Sequence, residues 1–234
     1  MSKLSVCFCY SFVKPKQPTN FVIFSETRPA IPEEEGAEYL KRCAQYARHS
    51  RVYLLPGLFV LHGQLCSCLL SPEGKLLAVQ RAAYLNLLQH PDLKTGEKID
   101  VFDTEFGKLA LLTDVDLFHP EAVRCAAMQG AQLLLSVQYF DPYDLTAARL
   151  RSGCWAMAQE HQLPILMTSN QGCCICAPCP ATAGGDGFIL PLTSELPALA
   201  TVYPHKSAKV RQQSGLLPLL NPDFCQRYSA QLGH

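Results

Sequence analysis

The stretch Gly107–Gln138, GKLALLTDVDLFHPEAVRCAAMQGAQLLLSVQ, decides the fold class. LALLTDVD is almost wholly apolar, which is the pattern of a strand buried on both faces. HPEAVRCAAMQG follows with Pro120 in the first turn of a helix and Gly130 at its end. AQLLLSVQ is a second buried strand. Strand, helix and strand in so short a span make one unit of a parallel sheet, and the pattern repeats downstream. Tyr143 to His161 is predicted as a helix and LPILMTSN as a third buried strand.

Upstream, residues 4–13 and FVIFS at 21–25 read as strands, joined by about seven residues. A helical crossover needs roughly a dozen or more, so the two are expected as antiparallel neighbours or in different sheets. Glu33 to Ser50 reads as an amphipathic helix with Ala37, Leu40, Ala44 and Ala47 on one face. VYLLPGLFVL and LCSCLLS are strand-like, SPEG at 71–74 is a turn, and LLAVQRA is another strand. IDVFDTEF is a short strand closed by Gly107. ICAPC, GFILPL and ALATVY complete the strands, and a polar tail with short helical pieces starts near Ala208. The expectation is an α/β protein with two layered sheets and helices outside. No linker or internal repeat divides it, so residues 1–234 are expected to form one domain.

Composition narrows the function. Twenty Lys and Arg balance twenty Asp and Glu, and only 17% of residues are charged, against about a quarter in an average protein. Binding to nucleic acid or a membrane surface through bulk charge is excluded. Apolar residues make up 48% of the chain, which suits a well-buried domain that also hides surface in an oligomer. No run of 18 apolar residues is present, and the N-terminal MSKLSVCFCYSFV lacks a small-residue cleavage site. A cytoplasmic location with reduced thiols is expected.

The chain has twelve cysteines. Most sit in apolar runs, where a free thiol acts as a small hydrophobe. Cys173, Cys174, Cys176 and Cys179 form CCICAPC, and a C-x2-C pair can hold half of a zinc or iron–sulfur site. The second pair that a closed site requires is not evident, and the same segment reads as a strand of small buried residues. His62, His90 and His119 show no ligand spacing. Trp155 reads as a core or dimer-interface anchor.

Five segments, in this order, resemble the nitrilase superfamily of carbon–nitrogen hydrolases. FVIFSE resembles its strand ending in Phe-Pro-Glu. GKLLAVQRAAYL resembles its Gly-x-x-x-x-x-Tyr-Arg-Lys-x-x-Leu, and GKLALLTDVDLFHPEAVR its Gly-Lys-x-Gly-x-x-x-Cys-Tyr-Asp-x-x-Phe-Pro-Glu-x-x-Arg. RSGCWAMAQEHQLPILMTSNQG resembles its Arg-Ala-x-Glu-Asn helix and Asn-x-x-Gly turn. CICAPCPATAGGDGFIL resembles its late strand and Gly-rich turn. The resemblance implies an α-β-β-α sandwich that pairs into a four-layer-type dimer, here shortened at the N-terminus, where the family's first helix between strands one and two is absent.

The family's chemistry uses a Cys nucleophile, a Glu base and a Lys that meets the oxyanion. Carried across, Glu26 matches the Glu, Ala82 falls on the Lys position and Asp114 on the Cys position, while Asp116 and Pro120-Glu121 keep the family's residues. A carboxylate at Asp114 is a far poorer nucleophile than a thiolate, and its neighbourhood lacks the oxyanion cation. Arg81 is adjacent to Ala82, but neighbouring strand residues face opposite ways. A thiol relocated to Cys173 or Cys174, after the Asn170-Gln171-Gly172 turn, is a second substitute. Glu26 beside Asp114 would raise one carboxyl or hold a hard cation such as calcium or magnesium. The leading expectation is a non-catalytic homologue that binds a partner or a small-molecule amide or amine, works as a homodimer, and needs neither cofactor nor resident metal. The rivals are an active amidase-type hydrolase with a rearranged site, and a metal or redox protein built on Cys173–Cys179.

Overall fold

A computed structural model describes residues 3–25, 29–140 and 146–214. The chain begins with strands β1 (Leu4–Cys9) and β2 (Phe21–Phe24), helix α1 (Glu33–Ser50), and strands β3 (Tyr53–Leu55), β4 (Phe59–Leu61), β5 (Gln64–Leu70) and β6 (Leu76–Arg81). It continues with β7 (Val101–Thr104), β8 (Gly107–Thr113), a tight helical turn Asp114–Phe118, α2 (Pro120–Met128) and β9 (Leu133–Val137). Helix α3 (Ala147–His161) precedes β10 (Ile165–Ser169), β11 (Gly172–Cys176), β12 (Phe188–Thr193), β13 (Ala198–Val202) and α4 (Pro204–Ser214).

The strands form two sheets. One runs β13-β1-β2-β3-β5-β4, with β6 also on β5, and the other runs β12-β11-β10-β9-β8-β7. Their facing sides make a shared core from Phe8, Phe21, Leu65, Leu109, Leu135 and Ile175 among others. The outer face of the first sheet is covered by α1, through Tyr39, Cys43 and Ala47. The outer face of the second is covered by α2 and α3, through Val123, Ala126, Leu150 and Cys154. This is the expected α-β-β-α sandwich. In its centre β8, β9 and β10 are parallel, crossed over by α2 and α3, as Gly107–Gln138 implies. Among the described residues no helix is long and apolar enough to cross a membrane.

Several expectations need correction. β1 and β2 are parallel neighbours, with Val6 opposite Phe21 and Cys9 opposite Phe24. The strand stops at Cys9, four residues earlier than its apolar run, and Phe12 turns the chain at a left-handed φ of 62°. Residues 10–20 are therefore free to cross back, and no helix is needed for the crossover. VYLLPGLFVL is two strands, because Pro56 and Gly57 interrupt it. The next hairpin turns at His62 and Gly63, both with positive φ, the geometry that suits tight β-turns. Helix α1 has the expected limits, and of its expected face Ala47 is buried and Leu40 and Ala44 pack against the sheet; Ala37 is exposed, and Gly36, Tyr39 and Cys43 complete the buried line. The helix drawn from Tyr143 begins at Ala147, where the Thr146 hydroxyl accepts a hydrogen bond from Arg149 N; residues 143–145 lie outside the described residues. The polar tail contains a regular helix, α4, that starts before Ala208.

Candidate functional site

The centre of interest is the end of β8. The expected strand LALLTDVD stops at Thr113, and the chain turns sharply at Asp114, whose φ is 53°. A non-glycine residue in this left-handed region is uncommon and marks a position held by its surroundings. The turn is fixed from both sides. Asp116 accepts hydrogen bonds from Thr113 N at 3.1 Å and from Tyr84 N at 2.8 Å. Phe118 packs against α3 at Gly153, where an added Cβ would lie 2.5 Å from the ring.

The two sheets are tied together beside this turn by buried hydroxyls. Thr113 Oγ1 lies 2.7 Å from Ser67 Oγ and donates to Gln80 O at 3.1 Å. Ser25 Oγ and Thr168 Oγ1 are 2.6 Å apart, joining the end of β2 to β10. The sequence shows these residues only as isolated polar positions in apolar strands. Their pairing depends on how the sheets face each other.

Asp114 is fully buried. Its Oδ1 accepts from Tyr139 N at 3.2 Å, while Oδ2 has no hydrogen-bond partner among the described residues. Burial pushes its carboxyl up to about 7, and the nearby Asp116 charge adds to the rise. Asp116 is pushed up to about 6 by burial, although the amides of Tyr84 and Thr113 oppose this. The pair is thus partly protonated near neutral pH.

Ala82 is buried in the core between the sheets. It is linked to the turn by the chain itself, since Tyr84, two residues on, donates to Asp116. The Lys and Cys positions of the resemblance therefore fall in one neighbourhood. Arg81 is exposed, as alternation requires, and lines a separate cleft of about 270 Å³ with Glu97, Lys98 and Asp100. Glu26 lies outside the described residues; Ser25, immediately before it, is placed beside Thr168.

A smaller cavity of about 110 Å³ opens at the same ends of β2 and β10, lined by Tyr10, Ser25, Ser169, Asn170, Gly172, Ser194 and Leu196. Asn170 grips Phe140 at two points, accepting from its N–H at 3.0 Å and donating to its carbonyl at 2.8 Å. Gly172 has a φ of 133°, and a Cβ there would sit 2.6 Å from Thr193 O. Among the described residues the lining carries hydroxyls and an amide and no charged side chain.

Neither Cys173 nor Cys174 lines that cavity. Cys173 points into the core between the sheets, where burial pushes its thiol up to about 12. Cys174 points the other way, toward α3. CCIC is the buried strand that its composition suggests. The sulfurs that gather are Cys154, Cys174 and Cys176; of the four cysteines of CCICAPC, Cys173 and Cys179 are not in the group. Cys154 is 20 residues upstream on a helix, so only its place on the apolar face of α3 could have pointed to it. His62 is exposed beside Glu33, and His119 stacks on Tyr84 with ring centroids 3.7 Å apart. Trp155 donates to Asp186 O at 2.7 Å and so pins the Gly-rich turn to α3.

No protein-family model matches the chain. Among solved structures, the chain is similar to a carbon–nitrogen hydrolase from Helicobacter pylori G27, with a TM-score of 0.77, 15% identity, and 97% of this chain and 98% of that one covered. It is also similar to an amidase from Nesterenkonia sp. AN1, with a TM-score of 0.74, 16% identity, and 96% and 99% covered. In sequence it is 34% identical over 95 residues to a probable nitrilase of Schizosaccharomyces pombe, covering 38% of this chain and 35% of that protein. A hydrolase of the same yeast is 28% identical over 119 residues, covering 45% and 37%. The chain thus matches little more than a third of the length of these curated relatives. At near-complete coverage of both chains, two facing sheets with helices outside give the chain the fold of the carbon–nitrogen hydrolases of the nitrilase superfamily.

Proposed function

We propose that this chain is a nitrilase-superfamily homologue that no longer hydrolyses carbon–nitrogen bonds and instead binds a small amide or amine at the β8 turn. The observation that carries this reading is Asp114: a buried carboxyl in a left-handed turn, with one oxygen that has no partner among the described residues. An enzyme of this type needs a strong nucleophile there and a cation for the oxyanion. The aligned residues here are a carboxyl and the methyl of Ala82. A carboxyl that titrates near 7 suits recognition better. Protonated, it donates to an amide carbonyl; ionised, it holds an ammonium group. The hydroxyls and amide that line the cavity at the ends of β2 and β10 favour a small polar ligand. Pairing into a homodimer belongs to the same proposal.

A covalent amide probe tests it. In the Nesterenkonia amidase, the acetamide moiety of fluoroacetamide adds to the active-site cysteine. The wild-type chain should release no ammonia from short aliphatic amides and should carry no acetamide adduct in the β8-turn peptide after fluoroacetamide treatment. Asp114→Cys should acquire the adduct. Amide turnover by the wild type that Asp114→Asn abolishes would establish the rearranged hydrolase in its place.

A further inference from the structure

The thiols of Cys154, Cys174 and Cys176 converge beneath α3, well apart from the β8 turn in chemistry and on the opposite face of the second sheet from the shared core. Cys174 and Cys176 are two residues apart on β11, so both project from its outer face. Cys154 descends from α3 onto them. All three are fully buried, among Leu150, Ala158, Ile165 and Met167. Their sulfur atoms lie within 4.8 Å of one another, and among the described residues no fourth His, Cys, Asp or Glu joins the group.

The layout has an internal comparison. In the first sheet Cys43 of α1 faces Cys66 and Cys68, again two residues apart on one strand. Those sulfurs do not gather into a ligand-sized group. The helix-facing layer is sulfur-rich on both sides, but only one of the two arrangements converges. Packing alone accounts for buried cysteines; it does not require three sulfurs to meet.

We propose that Cys154, Cys174 and Cys176 form a three-coordinate site for a thiophilic d10 cation, with copper(I) as its first choice. The geometry fits. Metal–sulfur bonds of about 2.3 Å place three ligands about 4 Å apart around a trigonal ion, and the three sulfurs already lie within 4.8 Å of one another. Thiolate donors select copper(I) and zinc over harder ions. Zinc in structural sites takes four ligands, and this apolar pocket offers three, which favours the ion content with trigonal coordination. Each thiol that becomes a ligand gives up its proton as the cation binds. The site is independent of the reading given to Asp114. Because it is closed to solvent, loading occurs as the chain folds or when α3 lifts.

The test uses the full-length reduced protein without oxygen. It is refolded with copper(I) in the presence of a copper(I)-chelating competitor, and in parallel with zinc, then desalted. The expected result is one copper per chain, with three sulfur neighbours by X-ray absorption. Cys154→Ala and Cys176→Ala should each lower retention at least about tenfold, on the scale at which even outer-shell changes act. Cys173→Ala and Cys43→Ala should retain it. Zinc held in copper's place with the same dependence also supports the site and assigns it the divalent ion. Folding of each variant is followed by circular dichroism, and the wild-type stoichiometry and sulfur count stand whatever the variants do. No retained metal in the wild type, or metal that survives replacement of all three cysteines, overturns the proposal.

Discussion

Asp114→Asn isolates the cost of a buried carboxylate in the β8 turn. Burial carries the folded carboxyl from 3.8 to about 7. At about 1.4 kcal/mol per unit, ionised Asp114 weakens the folded state by about 4 kcal/mol. The sign follows from proton binding. Between about pH 4 and pH 7 the folded chain holds a proton that the unfolded chain has lost, so stability falls as pH rises through this window and levels off above it. Asparagine removes the ionisation and keeps an oxygen for Tyr139 N. Its amide nitrogen takes the place of Oδ2, where no partner is found, at a cost of about 1–3 kcal/mol. Wild type has already lost about 1 kcal/mol to ionisation at pH 4.5, so the variant is expected to be less stable there by up to about 2 kcal/mol. At pH 8 it should be more stable by about 1–3 kcal/mol, or several degrees in Tm. The change in ΔΔG between the two pH values, about 3 kcal/mol, is independent of the amide's own cost. Urea unfolding across pH 4.5–8.5 reads it directly. Parallel curves for wild type and variant would refute the reasoning, since they would mean that Asp114 ionises at the ordinary value or that a cation balances it.

Three further outcomes follow from the packing. Thr113→Val leaves Ser67 Oγ and Gln80 O short of a partner and should cost about 1–3 kcal/mol; a denaturant cycle with Ser67→Ala should show coupling above about 0.5 kcal/mol, and additive effects would argue against the hydroxyl bridge. Gly153→Ala drives a methyl into the Phe118 ring and should cost about 1–3 kcal/mol by overpacking, read as a lower Tm; an unchanged Tm would mean that the turn does not depend on α3. Cys125 is the exposed thiol among the described cysteines, so mass-mapped iodoacetamide labelling of the native protein should modify it well before Cys7, Cys68 or Cys173. Equal rates would contradict the burial of those strands.

The resemblance carried the architecture because the fold is written in local patterns. Buried apolar strands, Pro120 at a helix start and Gly130 at its end can be read without knowing what they touch. The crossover between β1 and β2 could not be read in this way. The apolar run continues to Val13, but Phe12 takes a left-handed turn, with its ring packed edge-on against Phe24, Tyr39 and Tyr46. On α1 the period of Leu40, Ala44 and Ala47 is legible in the sequence, whereas the burial of Tyr39 and Cys43 is set by the sheet they meet.

At the candidate site the division is sharper. From the sequence by itself, the resemblance puts Asp114 where the family carries a thiol and Ala82 where it carries a cation. The sequence also determined the class of fold, because hydrophobic periodicity is a local property. Only the tertiary structure decided that Asp114 is buried with one oxygen that has no partner among the described residues, since burial is set by elements 25 or more residues away, such as Tyr139. It likewise decided which of the twelve cysteines meet. Spacing along the chain points to the cluster Cys173–Cys179, whereas the pleat of β11 and the descent of α3 bring Cys174 and Cys176 to Cys154. Sulfur atoms converge through space, and that geometry exists only once helix and sheet have packed.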